Sequence, residues 1–170
     1  MKLFTPSEAS QWKVSHAIAA PELRQSFRDI HRHVFRFKNP QHGGKYYWFA
    51  CLIEEACRPW AQCLLTIEEW GVWESSENWH LYYSLCKQFD EARAIEEACS
   101  MLFVQGEQDA LITFVQVFIS MGWDFSILTA DDKIRVFVSH DEWTCFSMRL
   151  EADADLALQR VKQYNLHVLE

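Results

Sequence analysis

The chain has 170 residues, 49% hydrophobic, 15% aromatic and 24% charged, with five Gly, four Pro and a net charge of −8. That length suits one domain with a single core, and the apolar content excludes long disordered stretches. The acid excess excludes gripping a phosphate backbone by charge alone, and no run of about 18 uncharged apolar residues is present to span a bilayer.

Met1 to Trp12 lacks the apolar stretch of a signal peptide. The expectation is a soluble, cytoplasmic protein whose residues 1–170 form one domain. The six cysteines (Cys51, Cys57, Cys63, Cys86, Cys99, Cys145) contain no CxxC pair and sit in apolar periodic segments, so they read as reduced core thiols. Charge is uneven along the chain. Residues 1–58 carry nine Lys and Arg against five acids, and the remainder carries seven against nineteen. The acidic two-thirds suits solubility and also attraction of a basic partner.

Thr5-Pro6-Ser7-Glu8 has the pattern of a capped helix start, with Trp12, Ile18 and Ala19 following and Pro21 ending or restarting it. Residues 21–38 read as a short helix and then a strand over His31 to Lys38, closed by Asn39-Pro40. Tyr46, Phe49, Ala50, Ile53 and Cys57 recur at helical intervals before Arg58-Pro59. Gln62 to Trp70 reads as a buried strand, Gly71 as a turn, and Ser75 or Ser76 as the cap of a helix carrying Trp79, Tyr82, Tyr83, Cys86 and Phe89. Asp90 is expected to cap a further short helix through Ile95 and Cys99. Glu107 to Met121 is the clearest helix, ended by Gly122. Trp123 to Thr129 and Lys133 to Val138 read as a hairpin, Glu142 to Met148 as a third strand, and Asp153 to Tyr164 as a last helix. Strands among helices, then strands in succession, predict an α+β fold with a mixed or antiparallel sheet.

Four clusters bear on chemistry. Ser139, His140, Asp141 and Glu142 contain the side chains of a hydrolase triad, but neighbours in a tight turn do not line up as one, and the GxSxG context is missing. Turn bonding by Ser139 and Asp141 is the simpler reading, with His140 left as a lone acid–base candidate. Glu77 and His80 form ExxH, but the second copy that a carboxylate-bridged metal centre needs is absent. His31 and His33, with His42, have ligand spacing in a strand, yet they sit among arginines, which disfavour a cation. Arg24, Arg28, Arg32 and Arg36 form a stripe that suits either phosphate or the protein's own acids. No metal or other cofactor is expected.

The remaining constellation joins Trp70, Trp73, Glu74, Ser76, Glu77, Asn78 and Trp79 with Trp123, Asp124, His140, Asp141, Glu142 and Trp143. If the strand ends lie on one edge of the sheet, these converge into a patch or cleft. Otherwise the tryptophans simply fill the core. The segments WGVWESSENWHLYY (70–83), GWD (122–124) and SHDEW (139–143) resemble a pattern in uncharacterised bacterial proteins, over roughly half the chain. That resemblance implies bacterial origin and a shared fold, and no activity.

The leading expectation is a non-enzymatic module that holds a basic protein on this acidic, aromatic surface, as an immunity or antitoxin-like inhibitor does. The alternative is an enzyme with His140 and Asp141 or Glu142 as acid–base groups in a Trp-lined cleft. Nucleic-acid binding through the arginine stripe ranks third, and membrane contact is not expected.

Overall fold

The computed structural model describes residues 1–18, 31–70 and 79–169. In chain order the elements are β1 (Lys2–Phe4), α1 (Pro6–Ser15), β2 (His33–Lys38), a 3-10 turn (Gly43–Lys45), α2 (Tyr46–Cys57), β3 (Gln62–Glu69) and α3 (Trp79–Lys87). There follow β4 (Ser100–Val104), α4 (Gln108–Met121), β5 (Asp124–Thr129), β6 (Ile134–Ser139), β7 (Trp143–Met148), α5 (Glu151–Gln163) and β8 (Val168–Leu169). The strands make one eight-stranded sheet in the order β1-β4-β3-β5-β6-β7-β2-β8. Every pair in it is antiparallel. The α+β expectation is met. No helix among the described residues is long and apolar enough to cross a membrane.

Period-two alternation decides what each face of the sheet meets. Cys63, Leu65 and Ile67 of β3 lie beside Phe125 and Ile127 of β5, with Val136, Val138 and Phe146 further across, and all join the main core with α2, α4 and α5. On the opposite face, Leu64 and Leu128 pack with Phe4 beneath Ala9 and Trp12 of α1. β5 and β6 are buried at all six positions, as strands covered on both faces must be.

Local chemistry sets several boundaries. Thr5 and Glu8 form a reciprocal capping box: the Glu8 N–H donates to Thr5 Oγ1 at 3.2 Å and the Thr5 N–H to Glu8 Oε2 at 2.8 Å. That helix ends at Ser15, so Ile18 lies beyond it, though still buried against α1. At the end of α4, Gly122 takes the left-handed conformation (φ 64°). Its N–H reaches the Ile119 carbonyl and the Trp123 N–H the Phe118 carbonyl, each at 3.1 Å. This Schellman closure turns the chain straight into β5.

Two expectations need correction. Asp90 to Cys99 is not a helix. Asp90 has φ 57°, and Glu91 Oε1 accepts the N–H groups of Ala92 (3.0 Å) and Arg93 (2.8 Å), which ties off amides a helix would use. The Arg93 guanidinium in turn donates to the Leu3 carbonyl at 3.2 Å, fixing this turn to β1. The second correction is three strands missed from the sequence: β1, β4 and β8. The strand over 33–38 agrees with expectation, while the helix expected over 21–30 and the Ser75 or Ser76 cap lie outside the described residues.

Candidate functional site: a cavity at one end of the sheet

The antiparallel register gathers five strand termini at one end of the sheet. Glu69 of β3 stands opposite Asp124 of β5, Ser139 of β6 opposite Trp143 of β7, and Trp143 opposite Lys38 of β2. Trp70, Trp123, Asp124, His140, Asp141, Glu142 and Trp143 are thereby brought to one end. Trp73, Glu74, Ser76, Glu77 and Asn78 lie outside the described residues.

The aromatic residues divide by burial. Trp123 is 1% exposed and belongs to the core, stacked on Phe118 at 5.2 Å and in contact with Tyr82 at 5.4 Å. It is therefore a wall, not an exposed anchor. Trp79 is half-buried, 5.5 Å from Trp123 and stacked on Tyr83. Trp70 is half-buried and packs against the same core. Trp143 lies between Phe137, at 5.4 Å, and the Arg36 guanidinium, 4.8 Å above its ring. Arg36 thus covers an aromatic face, and Arg24 and Arg28 of the expected stripe lie outside the described residues.

Beside these residues is a cavity of about 360 Å³, a typical size for a ligand pocket. Asn39, Tyr46, Ile119, Trp123, His140 and Glu142 are among its walls. At its edge, Asp124 Oδ1 accepts two hydrogen bonds from His140, from the backbone N–H at 2.5 Å and from ring Nδ1–H at 2.7 Å. Asp124 is 3% exposed, so the carboxylate is a buried fixture of the scaffold. An imidazole that gives its Nδ1 proton to such a carboxylate keeps Nε2 as its free acceptor. Nε2 lies 3.5 Å from Oδ1 of the exposed Asp141. The carboxylate that orients His140 is therefore Asp124 rather than Asp141 or Glu142.

The three-residue β6–β7 turn carries His140, and its form is over-determined. The Ser139 hydroxyl accepts the Asp141 N–H at 3.1 Å, the turn bonding expected from the sequence. The Glu142 N–H donates to the Ser139 carbonyl at 3.2 Å, and Glu142 itself is left-handed (φ 66°). Asn39, just beyond β2, clamps the same turn. Its N–H donates to the Glu142 carbonyl (2.8 Å), its amide to the Ser139 carbonyl (3.1 Å), and its side-chain oxygen accepts from Thr144 Oγ1 (2.6 Å). Asn39 and Tyr46 escaped sequence reasoning. Asn39-Pro40 signals only a strand end, and nothing local announces a clamp on a turn about a hundred residues away.

Glu69, Asp124 and His140 each place one donor atom within 4.8 Å of the others, a spacing compatible with a metal ion. In the arrangement described, the His140 Nδ1 proton and backbone N–H already occupy Asp124 Oδ1. Of the histidines weighed for metal in the sequence, His31 donates its Nδ1–H to the Ser147 carbonyl at 2.7 Å, at the opposite end of the sheet. His80 is exposed on α3, and its expected partner Glu77 lies outside the described residues. Trp123 Nε1–H is buried and has no acceptor among the described residues.

No protein-family model, curated protein or solved structure matches the chain.

Proposed function

We propose that the cavity binds a small polar ligand and that His140, held in one orientation by Asp124, is its proton-transfer group. The observation that carries this is the doubled hydrogen bond from His140 onto one buried carboxylate oxygen. A surface histidine kept only for solubility has no need of a buried partner, whereas an acid–base group must be held in one tautomer and one direction. The Ser139 hydroxyl is engaged in its turn, so the chemistry is proton transfer at a ligand atom rather than a serine-nucleophile hydrolysis.

The test is a fragment screen by NMR on the full chain, read at the His140 ring and the Trp123 indole. Expected are compounds that shift both signals and lose their effect when His140 is replaced by Phe. If every compound that binds leaves both signals unmoved, the cavity is not a ligand site.

A second reading is a bacterial immunity-like module holding a basic protein. It is favoured by exposed acids (Glu69, Asp141 and Glu142) at the same end of the sheet as the half-buried Trp143. Under that reading, reversing Asp141 and Glu142 to Lys abolishes binding of the basic partner while the fold is kept. A partner that still binds such a variant removes it.

A further inference from the structure

We propose that the ligand of this cavity is a small organic cation bearing an ammonium or guanidinium group, a refinement that rests on the binding-site reading above. Three independent features set the sign. First, Glu142 and His140 line the cavity, the buried Asp124 carboxylate is bonded to His140, Glu69 places an oxygen within 4.8 Å of the donor atoms of that pair, and no Lys or Arg lines the cavity among the described residues. Second, Ile119, Ser120 and Gly122 place the C-terminal end of α4 in the wall, and a helix end of that kind carries roughly half a negative charge. Third, the half-buried Tyr46 contributes aromatic surface, which attracts cations through the ring quadrupole.

The alternatives fare worse on the same residues. An anion meets carboxylates and the negative end of a helix with no cation to receive it. A neutral polar molecule satisfies hydrogen bonds but gains nothing from the field. A divalent metal that took His140 Nδ1 would displace the proton this nitrogen shares with Asp124 Oδ1 at 2.7 Å. An organic cation leaves that bond intact. Its N–H groups donate to His140 Nε2, the nitrogen left as acceptor, and to the Glu142 carboxylate as a charge-assisted bond. The cavity volume of about 360 Å³ exceeds what an ammonium head needs, so the ligand carries a further body of modest size.

The cation has two sources, a free small molecule or a Lys or Arg side chain presented by a basic protein. Titrations of the full chain with n-butylammonium, methylguanidinium and a capped Ala-Lys-Ala peptide separate them, with n-butanol, methylurea and butyrate as neutral and anionic counterparts. NMR shifts of His140 and the Trp123 indole give the affinity. Expected is binding of at least one cation about tenfold tighter than its neutral counterpart, weakened about fivefold by Glu142→Gln. Glu151→Gln, an exposed acid at the far end of the sheet, leaves it unchanged. Tighter binding of the free amines points to a small molecule, and tighter binding of the peptide to a protein side chain; both support the cation. Equal or tighter binding of butanol or butyrate overturns the proposal, as does insensitivity to Glu142→Gln or displacement of the Nδ1 proton by zinc ahead of any amine. If neutral compounds alone fill the cavity, only the sign is wrong. If nothing in the broader screen enters it, the binding-site reading fails as well.

Discussion

Glu142 occupies a position where the backbone asks for glycine. A three-residue hairpin loop commonly ends in a left-handed residue, and Glu142, with φ 66°, holds that place while lining the cavity. A side chain there costs about 1 kcal/mol in backbone strain, partly offset because glycine loosens the unfolded chain by about 0.5 kcal/mol. Glu142→Gly is therefore expected to raise stability by about 0.5 kcal/mol in urea unfolding and to weaken cation binding at the same time. A loss of stability of about 1 kcal/mol or more means instead that the carboxylate holds the turn together. The sequence shows Glu142 and His140 side by side, but not that Asp124, sixteen positions earlier, supplies the orienting oxygen.

That pairing becomes legible only at the scale of elements. Phe125 pairs with Val138 in the β5–β6 hairpin, and this register puts the residue just before Phe125 next to the turn after Ser139. The hairpin, the α4 period and the Gly122 stop were all readable, because each is a local pattern of apolar spacing or backbone need. Gly122→Ala is expected to cost about 1–2 kcal/mol in thermal or urea unfolding, since the left-handed residue also aims Trp123 into the core. An unchanged midpoint contradicts that role. What was not readable depended on distant partners. The segment EARAIEEAC (91–99) has good helix formers throughout. Glu91 and Arg93 instead bond each other, nearby amides and the Leu3 carbonyl, and β4 gains its status only by pairing with β1 and β3. β1 and β8, at three and two residues, are too short for any period to show.

Over the whole molecule the sheet has two polar ends with different tasks. Opposite the cavity, Asp132 is 2% exposed and takes the Arg135 guanidinium through bonds of 2.8 and 3.1 Å, with Arg149 also bound to it. His31 Nε2 stands 3.3 Å from the same carboxylate, a through-space contact rather than a hydrogen bond. Burial opposes ionisation of Asp132, but the contacts from His31, Arg135 and Arg149 outweigh it and hold the carboxyl well below the usual range. Burial likewise opposes ionisation of Glu91, where the Arg93 hydrogen bonds are the largest influence and bring its value down to about 2. Both carboxylates have lower pKa values folded than unfolded. Their stabilisation is complete above about pH 5 and is lost as pH falls below about 4 toward the folded values. Unfolding midpoints are thus expected to drop steeply between about pH 4 and 2. Asp132→Asn flattens that dependence and costs about 3 kcal/mol at neutral pH, because the buried Arg135 guanidinium loses its counter-charge, as does the more exposed Arg149. A variant as stable as wild type, with the same acid slope, contradicts the network's role.

At the cavity end, the proposed proton transfer depends on where one proton sits on the His140 ring. Nitrogen-15 NMR of the His140 ring, at a pH above about 8 where a free imidazole is neutral, shows which nitrogen holds it. The expected result is protonation at Nδ1, donated to Asp124, with Nε2 bare, and a shift toward the Nε2-protonated form in Asp124→Asn. An Nε2-protonated ring in the wild type, unaltered by Asp124→Asn, would contradict the orientation on which the proposed chemistry depends.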